Sequence, residues 1–186
     1  IARELDVTEN TVTGTYGSGG GIYLKDSKSI LTDVRVFGNS APWYGGGIDI
    51  VQGKPSLERV TVVANKSGAW GGGLAVYYAD VSIRQSLVAK NEARTGGGMF
   101  LQGNAPKLAN LSFIGNTAER GGALYFSNKS KASLTNVTVS LHVVGAQGEG
   151  SAFLVDDSPD VSFAYCNLFA NDSTPVVGLA KPPATS

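Results

Sequence analysis

The chain has 186 residues, a formal net charge of zero, 16% charged residues and 25 glycines. A neutral, sparsely charged chain lacks the basic footprint that nucleic acid or an anionic membrane attracts. It also holds no run of 18 apolar residues of the kind that spans a bilayer. Its one cysteine, Cys166, excludes an internal disulfide, and glycine at about twice ordinary usage is the profile of a turn-rich all-β protein.

Read from the start, the chain alternates two phrases. The first is apolar-x-apolar-x-x-Asn. It opens at Leu5-x-Val7-x-x-Asn10 and returns as Val34-x-Val36-x-x-Asn39, Val60-x-Val62-x-x-Asn65 and Leu111-x-Phe113-x-x-Asn116. Variants stand at Ser86-x-Val88-x-x-Asn91, Val137-x-Val139-x-x-His142 and Cys166-x-Leu168-x-x-Asn171. The second phrase is Gly-Gly-Gly-apolar, at Gly19-Gly20-Gly21-Ile22, Gly45-Gly46-Gly47-Ile48, Gly71-Gly72-Gly73-Leu74 and Gly96-Gly97-Gly98-Met99. Looser copies follow at Gly121-Gly122-Ala123-Leu124 and Gly150-Ser151-Ala152-Phe153.

The first phrase recurs every 25 or 26 residues between positions 39 and 142, and after 29 at either end. A fixed period of that kind sets the architecture before any local reading. Within each unit apolar residues alternate, as in Ile22-Tyr23-Leu24, which is the mark of a strand with one buried face. No helical stripe persists, so neither a doubly wound sheet nor a helical repeat fits. The unit is too short for a propeller blade and lacks the leucine-rich signature. The sequence therefore predicts an all-β fold, a right-handed parallel β-helix of about seven coils, with right-handed connections between parallel strands as the rule. The solenoid is expected over 1–172 and an irregular tail or linker over 173–186.

Three inward columns follow. One is Val7, Val36, Val62, Val88, Phe113, Val139 and Leu168. A second is Leu31, Leu57, Ile83, Leu108, Leu134 and Phe163. The glycine phrase supplies the third, beginning Ile22/Leu24 and Ile48/Ile50. The recurring asparagine is expected to bond its amide to the coil above or below, forming a ladder. His142, the only histidine, falls at a ladder position and is read as structural. Cys166 falls in an inward column and is read as a small buried hydrophobe. The glycine runs lack the lysine and the following helix that a phosphate loop needs. They are read as bends where stacked backbones approach or φ is positive. Asn65, Asn110, Asn128, Asn136 and Asn171 head glycosylation sequons, of which Asn65 and Asn171 are expected to be inaccessible. The start at Ile1, without a methionine, reads as a processed product or an excised portion.

The paired phrases resemble the repeat of polymorphic outer membrane proteins, Gly-Gly-Ala-Ile alternating with Phe-x-x-Asn, the second appearing here as Phe113-Ile-Gly-Asn116. The likeness spans roughly residues 1–171, with glycine often replacing the alanine and Val or Leu the phenylalanine. It implies a β-helical passenger at an extracellular or outer-membrane-associated surface, with a binding or scaffolding role in adhesion.

No cofactor, metal set or catalytic constellation is expected. The outward columns Glu4, Asp33, Arg59, Gln85, Asn110, Asn136, Tyr165 and Asp6, Arg35, Thr61, Leu87, Ser112, Thr138, Asn167 place carboxylates on adjacent coils only at Glu4 and Asp33 and gather no larger acidic set. They also offer no regular threonine face. Asp156, Asp157 and Asp160 read as a solvated turn rather than a calcium site. The turn before each glycine phrase carries Trp43-Tyr44, Ala69-Trp70, Arg94-Thr95 and Glu119-Arg120 in successive coils. Trp43, Tyr44, Trp70, Arg94 and Arg120 are thus expected along one ridge, suited to a glycan or a protein partner, or else simply covering the glycine strands. The outward column Tyr23, Asp49, Ala75, Phe100, Tyr125, Leu154 is unusually apolar for a wet face. Two further readings stand beside the adhesin-like one: a carbohydrate-active β-helix enzyme or fragment of one, and a component of an extracellular filament joined end to end or by further coils.

Overall fold

A computed structural model of the chain describes residues 1–103, 105–127, 130–156, 160–171 and 176–178, the side chains of 146 and 147 aside. The first coil is β1 (Ala2–Thr8) and β2 (Ile22–Ser27), and the second is β3 (Ile30–Phe37), β4 (Ser40–Ala41) and β5 (Ile48–Gly53). The third is β6 (Ser56–Glu58), β7 (Thr61–Val63), β8 (Lys66–Ser67) and β9 (Leu74–Tyr77). Then come β10 (Ser82–Ala89) with β11 (Met99–Gln102), and β12 (Lys107–Ile114) with β13 (Thr117–Arg120) and β14 (Leu124–Ser127). The sixth coil is β15 (Ser133–Ser140), β16 (Val143–Glu149) and β17 (Phe153–Val155). The last is β18 (Ser162–Ala164), β19 (Asn167–Phe169) and β20 (Val176–Val177).

Among the described residues there is no helix, and every strand pairing is parallel to the next coil. The first sheet runs β1-β3-β6-β10-β12-β15-β18, with β7 and β19 continuing the rungs begun by β6 and β18. The second runs β2-β5-β9-β11-β14-β17-β20. Short pairs β4-β8 and β13-β16, joined by bridges such as Lys66↔Glu92 and Glu92↔Thr117, close a third side. Seven rungs thus stack over about six full turns, a parallel β-solenoid. One departure from expectation lies in the tail: Val176 and Val177, placed by the sequence in an irregular segment, pair with Phe153 and Leu154 and extend the second sheet. Two apolar β-branched residues can cover the last rung's edge, which a polar linker would not.

The core is the set of inward columns, one side chain per coil. Val36, Val62, Val88, Phe113 and Val139 are each at most 1% exposed, and Ile48, Leu74, Met99, Leu124 and Phe153 stack opposite them. Burial of each such side chain contributes about 1.5–3 kcal/mol, and each coil is stabilised chiefly by its two neighbours.

Three left-handed corners recur from coil to coil, and a fourth, at Asp26, Gln52, Tyr78 and Gly103, lies at the end of the second-sheet strand in the first four coils. Glu4, Asp33, Arg59, Gln85, Asn110, Asn136 and Tyr165 all have φ of 50–56°. The outward column read from alternation is therefore a bend within the first-sheet rung, which is why Leu31 and Val34, three apart, both face inward. The second corner precedes the asparagine, and Gly115 shows why side chains are tolerated there: a Cβ would meet nothing closer than 3.9 Å. The third corner is the first glycine of each triplet. At Gly72, the middle glycine, a Cβ would lie 2.4 Å from Glu92 O and 2.5 Å from Gly97 O. Both causes expected of the glycine runs therefore operate, positive φ at the first position and backbone stacking at the second.

Asn39, Asn65, Asn91 and Asn116 are buried and bonded from coil to coil. The N–H and Nδ2 of Asn39 both donate to Asn65 Oδ1 (2.9 and 3.0 Å), and those of Asn65 to Asn91 Oδ1 (2.9 and 3.1 Å). Asn91 repeats this toward Asn116. His142 continues the column: the Asn116 N–H donates to its Nδ1 (3.1 Å), and its own N–H donates to Asn171 Oδ1 (3.2 Å).

Candidate functional site

The second sheet has an outer face that alternation alone would leave wet. Its central column, in register from Tyr23 through Asp49, Ala75, Phe100 and Tyr125 to Leu154, is instead covered beyond its first residue. Asp49 is 1% exposed, and Ala75, Phe100, Tyr125 and Leu154 are all buried. The cover comes from the turn before the glycine triplet. Ser18, Tyr44, Trp70, Thr95 and Arg120 are bridged one to the next, so Tyr44, Trp70 and Arg120 form one column. Trp43, one residue earlier, turns its ring into the same layer.

The result is an aromatic strip running along the solenoid axis. Tyr16 meets Trp43 edge-on at 5.3 Å, Trp43 meets Trp70 at 5.0 Å, and Tyr44 stacks on Trp70 at 5.1 Å. Tyr77 packs on Tyr44 at 4.6 Å and on Phe100 at 5.3 Å, and Phe100 stacks on Tyr125 at 5.4 Å. Each such pair contributes roughly 0.5–1.5 kcal/mol beyond its burial, so the strip holds the sheet's outer face as well as displaying it. Trp43, Tyr44, Trp70 and Tyr77 remain half-buried and Tyr16 is exposed. Arg120 closes the far end, its guanidinium 5.3 Å from the Tyr125 ring centroid and 3.7 Å from Asp156.

Of the five residues expected on one ridge, four gather here. Arg94 goes elsewhere: it shares the Trp43 position two coils on, but pairs with Glu119 at 3.2 Å. There it lines a groove on the third side with Lys66 and Glu92, which pair with each other at 2.7 Å.

Several carboxylates outside the strip are engaged by cations. Arg59 binds Asp33 (2.7 Å) and Glu58 (2.6 Å), and Arg84 binds Glu58 (3.0 Å). Asp156, part of the acidic turn, accepts from the Tyr125 hydroxyl at 2.6 Å. Asp157, like the sequon residue Asn128, lies outside the described residues. No group of three or more metal-ligating side chains occurs among the described residues. Cys166 is half-buried, with its thiol held up from the ordinary range by burial and its Sγ 3.5 Å from Ala164 O, so it is a thiol rather than a ready nucleophile.

Sequence reasoning missed Asp49 as a site residue. Burial pushes its carboxyl up to about 7, against the hydrogen bonds from the Ile50 N–H and the Ser18 hydroxyl that favour the charged form. Its Oδ1 has no hydrogen-bond partner. The neighbouring Tyr77 hydroxyl is also pushed upward, by burial first and then by Tyr44 and Asp49. Asp49 sits on the floor of a pocket of about 410 Å³ whose walls include Tyr16, Tyr23 and Tyr44. The available signal was an acidic residue in an otherwise apolar column.

Residues 110–127 match the Chlamydia polymorphic membrane protein repeat. The matched stretch contains Phe113-Ile-Gly-Asn116 and Gly121-Gly122-Ala123-Leu124, that is, the end of β12, the bonded asparagine, β13, the glycine bend and β14. Comparison with curated proteins and with solved structures gives no match. The repeat match and the parallel solenoid fit a surface-exposed, adhesin-like β-helix module.

Proposed function

We propose that the chain is a non-enzymatic, cell-surface β-helix module that binds a glycan or protein through the aromatic strip and otherwise serves as a rigid scaffold. The observation that supports this reading is the row of rings from the exposed Tyr16 through the half-buried Trp43, Tyr44 and Trp70, ending at Arg120. Aromatic and arginine side chains on a preformed surface are the groups that carry most binding energy at interfaces. Their mutual packing fixes them before a partner arrives, so little side-chain entropy is lost on binding. The outer-membrane setting is supported by the repeat match at residues 110–127. Against catalysis, Asp33 and Glu58 on the first sheet are held in ion pairs with Arg59 and Arg84 rather than set as an acid and a base.

A glycan array and a panel of host-surface extracts, probed with the native chain and with Trp43→Ala and Trp70→Ala, test the proposal. Binding that falls at least tenfold in both variants with the fold intact supports it. Polysaccharide turnover abolished by one carboxylate substitution would replace it with the enzyme reading.

A further inference from the structure

The pocket beneath Tyr16 adjoins the strip and shares Tyr16 and Tyr44 with it, yet its chemistry differs. Its floor is a carboxylate, Asp49, 1% exposed and with Oδ1 unpartnered. Its walls include the rings of Tyr16, Tyr23 and Tyr44, with Ser18 and Val51 completing the lining. A buried acceptor left without a partner costs about 1–3 kcal/mol, and such groups are rare enough in native proteins that each calls for a physical reason, a bound ion among them.

The lining constrains what that partner is. A single carboxylate is a poor site for calcium, which takes six to eight oxygens. An anion would meet Asp49 as a like charge. A cation is attracted both by the carboxylate and by the negative faces of aromatic rings, the arrangement that recognises ammonium groups. The volume of about 410 Å³ lies at the small end of ligand pockets, enough for an alkylammonium head and short stem. We propose that this pocket binds a primary ammonium group, with Asp49 as its counter-charge and Tyr16, Tyr23 and Tyr44 as its walls. A bound cation draws the carboxyl back to its charged form and supplies the donor that Oδ1 lacks. The inference goes beyond the adhesin-like reading, because it concerns a small-cation site that holds whatever the strip's partner is.

The test is an amide-resolved NMR titration of the whole chain with n-butylammonium, with 1-pentanol as the neutral control. The expected result is saturable shifts at Ser18, Asp49 and Ile50 in the millimolar range. Affinity should fall at least tenfold in Asp49→Asn and about threefold in Tyr16→Ala; the Tyr16 ring is 74% exposed and its loss does not threaten the fold. Parallel titrations with Nα-acetyl-lysine methylamide and glucosamine distinguish a protein side chain from an amino sugar as the source of the ammonium. Equal saturation by 1-pentanol, unchanged affinity in Asp49→Asn, or no saturable shift by about 100 mM would overturn the proposal. Trp70→Ala, outside the pocket, reads the strip separately, so failure here and failure of the adhesin-like reading are distinguishable.

Discussion

Replacing His142 with asparagine should stabilise the solenoid, and much more in acid than at neutral pH. His142 is 1% exposed and its Nε2 has no hydrogen-bond partner. Burial, opposed by the nearby Phe113 and Asn116 carbonyls, lowers its pKa from the ordinary 6.5 to about 4. In the fold the ring therefore stays neutral down to about pH 4, whereas in the unfolded chain it takes a proton below about 6.5. The unfolded state binds more protons in that window, so native stability is full above 6.5 and falls as pH drops toward 4. The loss totals about 3 kcal/mol and reaches about 2 kcal/mol at pH 5. Asparagine does not titrate. It also offers Asn116 Nδ2 the Oδ1 acceptor that Asn91 Nδ2 finds one coil earlier at 2.9 Å, a gain of about 1 kcal/mol set against the smaller volume of the new side chain. His142→Asn should thus leave the melting temperature unchanged or slightly raised at pH 7.5. At pH 5 it should add about 4–8 °C beyond that. Circular-dichroism melts at the two pH values read the difference, and an NMR titration of the imidazole reads its cause. The same gain at both pH values, or an imidazole titrating near 6.5, would refute the reasoning.

The other predictions concern charge and backbone. Asp49 has the opposite linkage: its folded pKa is raised from 3.8 to about 7, so its protonated form favours the fold below about 3.8 and that contribution is lost as pH rises through 7. Asp49→Asn should gain on the native chain by up to about 4 kcal/mol between pH 4 and pH 8, seen in urea midpoints, and a gain independent of pH would contradict it. Gly72→Ala forces a Cβ onto two carbonyl oxygens of the next coil and should cost about 3 kcal/mol or more. Gly115→Ala, in open space at φ +59°, should cost only about 1 kcal/mol; equal costs would refute the stacking account. Leu141, exposed at φ 61°, should gain about 0.5–1 kcal/mol as Leu141→Asn, because asparagine tolerates the left-handed region better.

Much of the fold was legible because a solenoid repeats its instructions. Val36, Val62 and Val88 could be aligned by eye, and the glycine triplets announced both bends and close backbone approach. The first corner was not legible. Arg59 and Gln85 carry no mark of positive φ, since an exposed side chain at an open bend is selected by little, and the corner appears only once the rungs are stacked. The site was half legible for a related reason. Alternation tells which face of the second sheet Asp49 occupies, but not that Tyr44, Trp70 and Tyr77 fold over that face. Trp43 and Arg94 share a position two coils apart, with Ala69 between them. The ring turned toward the aromatic layer where apolar surface was available, and the guanidinium turned toward Glu119 and solvent.

Registration of one coil on the next is the premise of every column described, and cysteine cross-linking measures it most directly. Thr61 and Leu87 are register partners on adjacent rungs, and Arg35 pairs with Thr61 on the other side. Neighbouring strands lie about 4.8 Å apart, within disulfide reach, whereas rungs two coils apart are beyond about 7 Å. In a Cys166→Ser background, Thr61→Cys with Leu87→Cys should form a disulfide under mild oxidation, and Arg35→Cys with Leu87→Cys should not. Cross-linking of the second pair as readily as the first, or of neither, would contradict the stacked solenoid and the strip built on it.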